Sequence, residues 1–218
     1  MVSDVDGAPL LRGWSHAIAV VPATAGAALL VLSAPRSAGQ RAALALYGAA
    51  LILLFAVSAL YHRGAWSPRV RAVWRRIDHA NIFLMIAATY TALGVIVLDG
   101  ATRVVILAAV WTVATAGIVV AALPVRIPRG VSVGLYVVTG WIAVVVLPTL
   151  VARLSTAALA LLLSGAMLYT LGAVTYGLRW PRLWPRVFGY HELFHLLVIA
   201  ASAMFFSLVA VVAAPGRL

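Results

Sequence analysis

The 218-residue chain has no cysteine and no lysine, and only five acidic residues. Without cysteine neither a disulfide framework nor a thiolate metal site can form, so any metal has to be held by histidine, carboxylate or hydroxyl. Charge of any kind is scarce, at 10% of residues against 65% hydrophobic. A water-soluble domain of this length would expose large apolar patches with that balance, so the surrounding solvent has to be lipid. All sixteen basic residues are arginine, for a net charge of +11. They fall mostly singly or in pairs between apolar runs, which argues against a nucleic-acid surface and for membrane-orientation signals. The first fourteen residues carry Asp4 and Asp6 and lack the basic start of a signal peptide. No persuasive cleavage site follows the apolar run from His16, which is therefore expected to remain as a span.

Long apolar runs are what the chain has in abundance. Seven stand out, at 16–32, 42–61, 80–98, 104–123, 131–151, 156–176 and 193–214. Each approaches the roughly 20 residues that cross a hydrocarbon core as helix. The expected fold is all-α: a seven-transmembrane helix bundle forming a single membrane domain over residues 1–218. Breakers such as Pro35, Gly39, Pro68, Gly100, Pro124 and Pro185 mark the short connectors. Placing alternate connectors on opposite sides gathers Arg12, Arg63, Arg69, Arg71, Arg75, Arg76, Arg126, Arg129, Arg179, Arg182 and Arg186 on one face. Arg36, Arg41, Arg103, Arg153 and Arg217 fall on the other. The positive-inside rule then predicts a cytoplasmic N-terminus and an outside C-terminus, in a multi-pass protein of a cell membrane, the inner membrane of a bacterium. Trp14, Trp66, Trp74, Trp180 and Trp184 share the arginine-rich side, as rings at a headgroup boundary should.

After residue 6 the acids are Asp78, Asp99 and Glu192, and the histidines are His16, His62, His79, His191 and His195. Asp99, beside Gly100, reads as a solvated turn residue. The other seven groups all lie at span ends on the arginine-rich side, and ionisable groups in spans usually mark function. His191 and His195 open the last span four residues apart, so they share a helix face with about 5–6 Å between Cβ atoms. Their spacing is that of the zinc-protease ligands, and Glu192 has the position of the protease base, but nothing upstream adds the rest of a protease. Adjacency also turns Glu192 away from the two rings. Ser58-Ala-Leu-Tyr-His62 supplies a third imidazole and a hydroxyl, and Asp78-His79 supplies a carboxylate able to orient a ligand or a water.

Three neutral imidazoles plus one water make the open tetrahedral site of catalytic zinc. His62, His191 and His195 are thus the expected ligands and zinc the expected cofactor. Asp78 is the candidate proton acceptor, and Ser58 the candidate hydrogen-bond donor to the site or to a developing oxyanion. The bland alternatives are an interfacial His62, an Asp78 that caps its helix and pairs with Arg75 or Arg76, and a Ser58 bonded to its own helix. His16 and His79 are left outside the metal set.

Four segments in order, Ser58-Ala-Leu-Tyr-His62, Arg75-Arg-Ile-Asp78-His79, Ile86-Ala-Ala-Thr-Tyr-Thr91 and His191-Glu-Leu-Phe-His195, together with Arg12-Gly-Trp-Ser-His16, resemble the hemolysin III branch of the progestin and adipoQ receptor family. The resemblance implies a seven-helix bundle with a cytoplasmic-side zinc on three histidines, which map onto His62, His191 and His195; Asp78 and Ser58 match the accompanying acid and serine. The wider superfamily includes adiponectin receptors and alkaline ceramidases, which implies zinc-dependent lipid amide hydrolysis. Where many members read Gly-Thr-Tyr-Thr-Pro, this chain has Ala88 and Ala92 at the flanking positions, which removes a kink. The hemolysin name would imply lysis, yet nothing in the chain resembles a secreted toxin.

The leading expectation is a zinc hydrolase of lipid amide or ester bonds, with membrane lipid as both surroundings and substrate and no nucleic-acid partner. The competing one is a sensor, channel or transporter in which zinc is structural. Against a pore, no span shows a repeated polar stripe.

Overall fold

The computed structural model describes residues 9–32, 37–125, 127–184 and 186–214. Asp4, Asp6, Pro35, Arg36, Arg126, Pro185 and Arg217 lie outside them. The chain is helical almost throughout: α1 (Trp14–Leu32), α2 (Ala38–Arg63), α3 (Pro68–Val97), α4 (Gly100–Ala122), α5 (Arg129–Gly140), a 3₁₀ stretch (Trp141–Val146), α6 (Leu147–Arg153), α7 (Thr156–Leu178) and α8 (Tyr190–Ala213). Among the described residues seven stretches are long and apolar enough to cross a membrane, with α5 to α6 counting as one.

Serines start three of the helices. Ser37 and Gln40 exchange hydrogen bonds in a reciprocal capping box before α2. Ser67 caps α3 with Pro68 in its first turn, where the missing N–H would have no helical partner anyway. Ser155 caps α7. Because that signal lies at Ser67, α3 begins twelve residues before the apolar run at 80–98 and carries Arg69, Arg71, Arg75 and Arg76 on helical turns. It then runs unbroken through Ala88 and Ala92.

The fifth span is interrupted, which the apolar run at 131–151 did not announce. Pro148 has no N–H to return to the carbonyl of Val144, and its ring crowds that carbonyl, so the preceding turns tighten into a 3₁₀ stretch. Tyr90 of α3 braces the break: its hydroxyl donates to the carbonyl of Gly140 at 2.7 Å and accepts from the N–H of Ala143 at 2.6 Å.

Sequential helices pack as neighbours from α1 to α4, α7 packs along α8, and α8 returns against α1 and α3. α3 also meets α5, which makes it the inner helix of the bundle, and its Ala87, Ala88 and Ala92 are fully buried. Outward faces are apolar: Leu32, Val145 and Val21 are 82%, 76% and 72% exposed, an arrangement suited to lipid. At the end of the bundle opposite His62 and His191, Asp99 precedes α4 and remains largely exposed, as a turn residue should. It also pairs with Arg103 and Arg153, and Arg153 donates to the carbonyl of Val97 at 2.8 Å, so this turn ties α6 to α3 and α4.

Close packing of α4 on α3 depends on Gly117, where an added Cβ would lie 2.5 Å from the ring of Phe83. Gly117→Ala should destabilise the bundle by roughly 1–3 kcal/mol through overpacking. Gly134→Ala, with nothing within 4 Å of the added atom, should not. Thermal unfolding of both variants in detergent checks this; equal melting temperatures would show that the helices separate without cost.

Candidate metal centre

Three helices bring the site together at the arginine-rich end. His62 sits in the last turn of α2, His191 and His195 in the first turns of α8, and His16 in the first turn of α1. Ring centroids of His62, His191 and His195 are 4.6–5.1 Å apart. One nitrogen from each lies within 4.8 Å of the others, so the group could hold a metal ion. Nε2 of His62 and Nε2 of His191 face each other at 3.1 Å. A cation about 2.0–2.1 Å from each of two nitrogens at a tetrahedral angle places them about 3.3–3.4 Å apart, close to that separation. Nδ1 of His195 is buried with no hydrogen-bond partner among the described residues. Three converging imidazoles, one with an unmet nitrogen, fit a metal better than a hydrogen-bonded core.

The placement of His62 depends on Gly13. Its φ of +78° lies in the left-handed region, and a Cβ there would fall 2.8 Å from the Cβ of His62. Glycine alone allows both the turn and the approach. The head of α8 is held by Glu192, whose carboxylate accepts the N–H of Gly189 at 2.8 Å and forms an ion pair with Arg12. The segment before α1 also pairs with the one before α8: the N–H groups of Leu10 and Leu11 donate to the carbonyls of Arg186 and Val187. Glu192 is thus committed to architecture on the side away from the rings.

Ser58 and Asp78 also meet. Asp78 of α3 lies beside Ser58 of α2 and both line the same cavity, and the amide of Asn81 donates to the carbonyl of Leu53 at 3.2 Å. No ion pair joins Asp78 to Arg75 or Arg76 among the described residues, and the cap of α3 is Ser67. His79 stands outside the triad, its Nδ1–H donating to the carbonyl of Arg75 at 2.8 Å. His16 is the residue that sequence reasoning undervalued. It is buried, its ring stacks on His195 at 4.0 Å and 7° between planes, and neither of its nitrogens has a hydrogen-bond partner among the described residues. Its rarity, its span-end position on the arginine-rich side and its place in the Arg12–His16 segment were the signals available for it.

The triad, Ser58 and Asp78 line a cavity of about 610 Å³. Leu54, Met85, Leu162, Val198 and Leu208 line its depth together with the hydroxyl-bearing Thr89, Tyr169 and Thr170, and the histidines and Asp78 lie at its arginine-rich end. A model of the family described as "Haemolysin-III related" matches residues 7–206. The chain belongs to that family. It is 31% identical over 194 residues to "Hemolysin-3" of Bacillus cereus, covering 88% of this chain and 85% of that protein. It is 29% identical to the "Hemolysin-3 homolog" of Bacillus subtilis (strain 168), covering 88% of each. This haemolysin-III related protein is therefore a multi-pass membrane protein in which three histidines could hold a metal.

Because Glu192 is buried and Arg12 partly so, removing Arg12 strands a buried carboxylate and removing Glu192 leaves a half-buried guanidinium unpaired. Arg12→Ala and Glu192→Ala should each destabilise by roughly 2–4 kcal/mol. The double variant should lose less than their sum. Unfolding of the full cycle in detergent measures the coupling, and strictly additive losses would mean that the pair does not hold the two segments together.

Proposed function

We propose that this protein is a zinc-dependent hydrolase of lipid amide or ester bonds, resident in a bacterial inner membrane with its arginine-rich end in the cytoplasm. The observation that carries the reading is the convergence of His62, His191 and His195 on a largely apolar cavity inside the bundle. An all-imidazole donor set suits zinc, whereas magnesium and calcium prefer oxygen ligands. Bound there, zinc supplies Lewis-acid polarisation of a carbonyl and of water.

The chain's own residues account for the rest. The three histidines, which line the cavity, would hold the ion. Asp78, positioned by Ser58, takes a proton from the attacking water and returns it to the leaving amine or alcohol as the carbonyl carbon–heteroatom bond breaks. Once Asp78 carries that proton, the Ser58 hydroxyl no longer has to donate to it, and its one hydrogen turns to the oxygen on which negative charge develops. The apolar depth of the cavity receives a hydrocarbon chain while the carbonyl stays at its head. For a channel or transporter, the far end is unfavourable: Val97, Leu98, Leu150 and Leu154 offer an ion no polar partner.

Purified protein should contain about one zinc per chain, and the His191→Ala, His195→Ala double variant close to none. Equal, low zinc in both would remove the site. Asp78→Asn should retain the metal yet lose roughly 10²–10⁴-fold in turnover of whichever lipid a lipidomic screen identifies. Full turnover in that variant would exclude Asp78 as the proton acceptor. Ion flux through liposomes that survives His62→Ala would favour transport instead. A fluorescent reporter that matures only in the cytoplasm should stay dark when fused to the C-terminus.

A further inference from the structure

A second cavity, of about 330 Å³, opens at the arginine-rich end among α3, α4, α5 and α7. Four arginines converge on it: Arg75 and Arg76 from α3, Arg129 from the first residue of α5, and Arg179 from the residue that closes α7. None of the three histidines of the metal centre lines it. Among the described residues no carboxylate does either. Among the described residues the acids are committed elsewhere: Glu192 to Arg12, Asp99 to Arg103 and Arg153, and Asp78 to Ser58.

Like charges gathered at the low-dielectric edge of a membrane repel strongly unless an anion is shared among them. The arrangement is also built rather than incidental. Arg129 lies over the ring of Tyr176 at 4.7 Å, and one of its terminal nitrogens faces the carbonyl of Tyr176 and the hydroxyl of Tyr190 at 3.4 and 3.5 Å, which leaves its other N–H groups for a ligand. Arg179 occupies a helix-closing position with φ of +55°, where glycine is the usual residue. Beneath the guanidinium groups the lining turns apolar, with Phe83, Val120 and Leu135.

We propose that this pocket binds an anionic phospholipid, its phosphate held by Arg75, Arg76, Arg129 and Arg179 and the upper part of an acyl chain lying against Phe83, Val120 and Leu135. Guanidinium groups match phosphate oxygens in paired, planar hydrogen bonds, and basic pockets between membrane helices suit lipid headgroups. The apolar floor between spans selects a lipid over free phosphate, which has no use for it. Arg75, His79, Arg129, Tyr136 and Tyr176 line both cavities, so this pocket adjoins the one at the metal centre, but binding here requires neither the metal nor hydrolysis.

Native mass spectrometry of the full chain in detergent tests this, with phosphatidylglycerol, phosphatidylcholine of the same chains and inorganic phosphate as probes. Phosphatidylglycerol should bind more tightly than phosphatidylcholine. The Arg75→Gln, Arg179→Gln variant should weaken it about thirtyfold, at about fivefold per arginine. Arg69→Gln, Arg182→Gln removes the same charge from the same end outside the pocket, and should leave affinity unchanged. Equal losses in both variants, or equal binding of the two lipids, would reduce the effect to general surface attraction and overturn the site. Displacement of phosphatidylglycerol by millimolar inorganic phosphate would overturn the lipid assignment in favour of a free-anion site. Should the glutamine pair fail to fold, Arg75→Lys, Arg179→Lys preserves charge but loses the paired geometry; weakened binding supports the pocket, and undiminished binding refutes it.

Discussion

The ion pair between Arg12 and Glu192 joins the segment before α1 to the first turn of α8, and the site around it depends on that junction. Lipid provides no hydrophobic force to press apolar helices together, so polar ties and close packing decide how helix ends sit relative to one another. With the head of α8 held by Arg12 and by the N–H of Gly189, His191 and His195 face His62 across the bundle, and His16 stacks on His195 from α1. The contact of Asp78 with Ser58 and the bond from Asn81 to Leu53 do the same for α3 against α2.

Scarcity of acids shapes the distribution of function. The described carboxylates are all engaged differently. Glu192 fastens the N-terminal segment to α8, Asp99 gathers two arginines at the opposite end, and Asp78 faces the cavity beside Ser58. The donors that converge are therefore three imidazoles, a group that could hold a metal ion. Among the described residues the same shortage leaves the four arginines of the second cavity without an ion-pair partner.

The helical membrane fold was legible because hydropathy reports solvent directly: runs such as 42–61 and 193–214 have no stable place in water, and their helices form where the runs lie. The helix limits were less so. The arginine-bearing turns at the start of α3 are helical by virtue of the Ser67 cap and Pro68, which hydropathy does not weigh. The break in the fifth span was masked by its uniformly apolar composition, although Pro148 carried the cause. Among site residues, the i and i+4 spacing of His191 and His195 was readable from helix geometry alone.

What the sequence by itself determined was the solvent, the number of apolar spans and the small set of residues able to do chemistry, because composition and periodicity are local properties. Tertiary structure alone decided which of those residues meet: that His16 stacks on His195, that Glu192 reaches Arg12 across 180 positions of chain, and that Asp78 turns to Ser58 rather than to its neighbouring arginines. These pairings depend on how helices rotate about their axes and which of them adjoin, and helical spacing within one span carries no information about either.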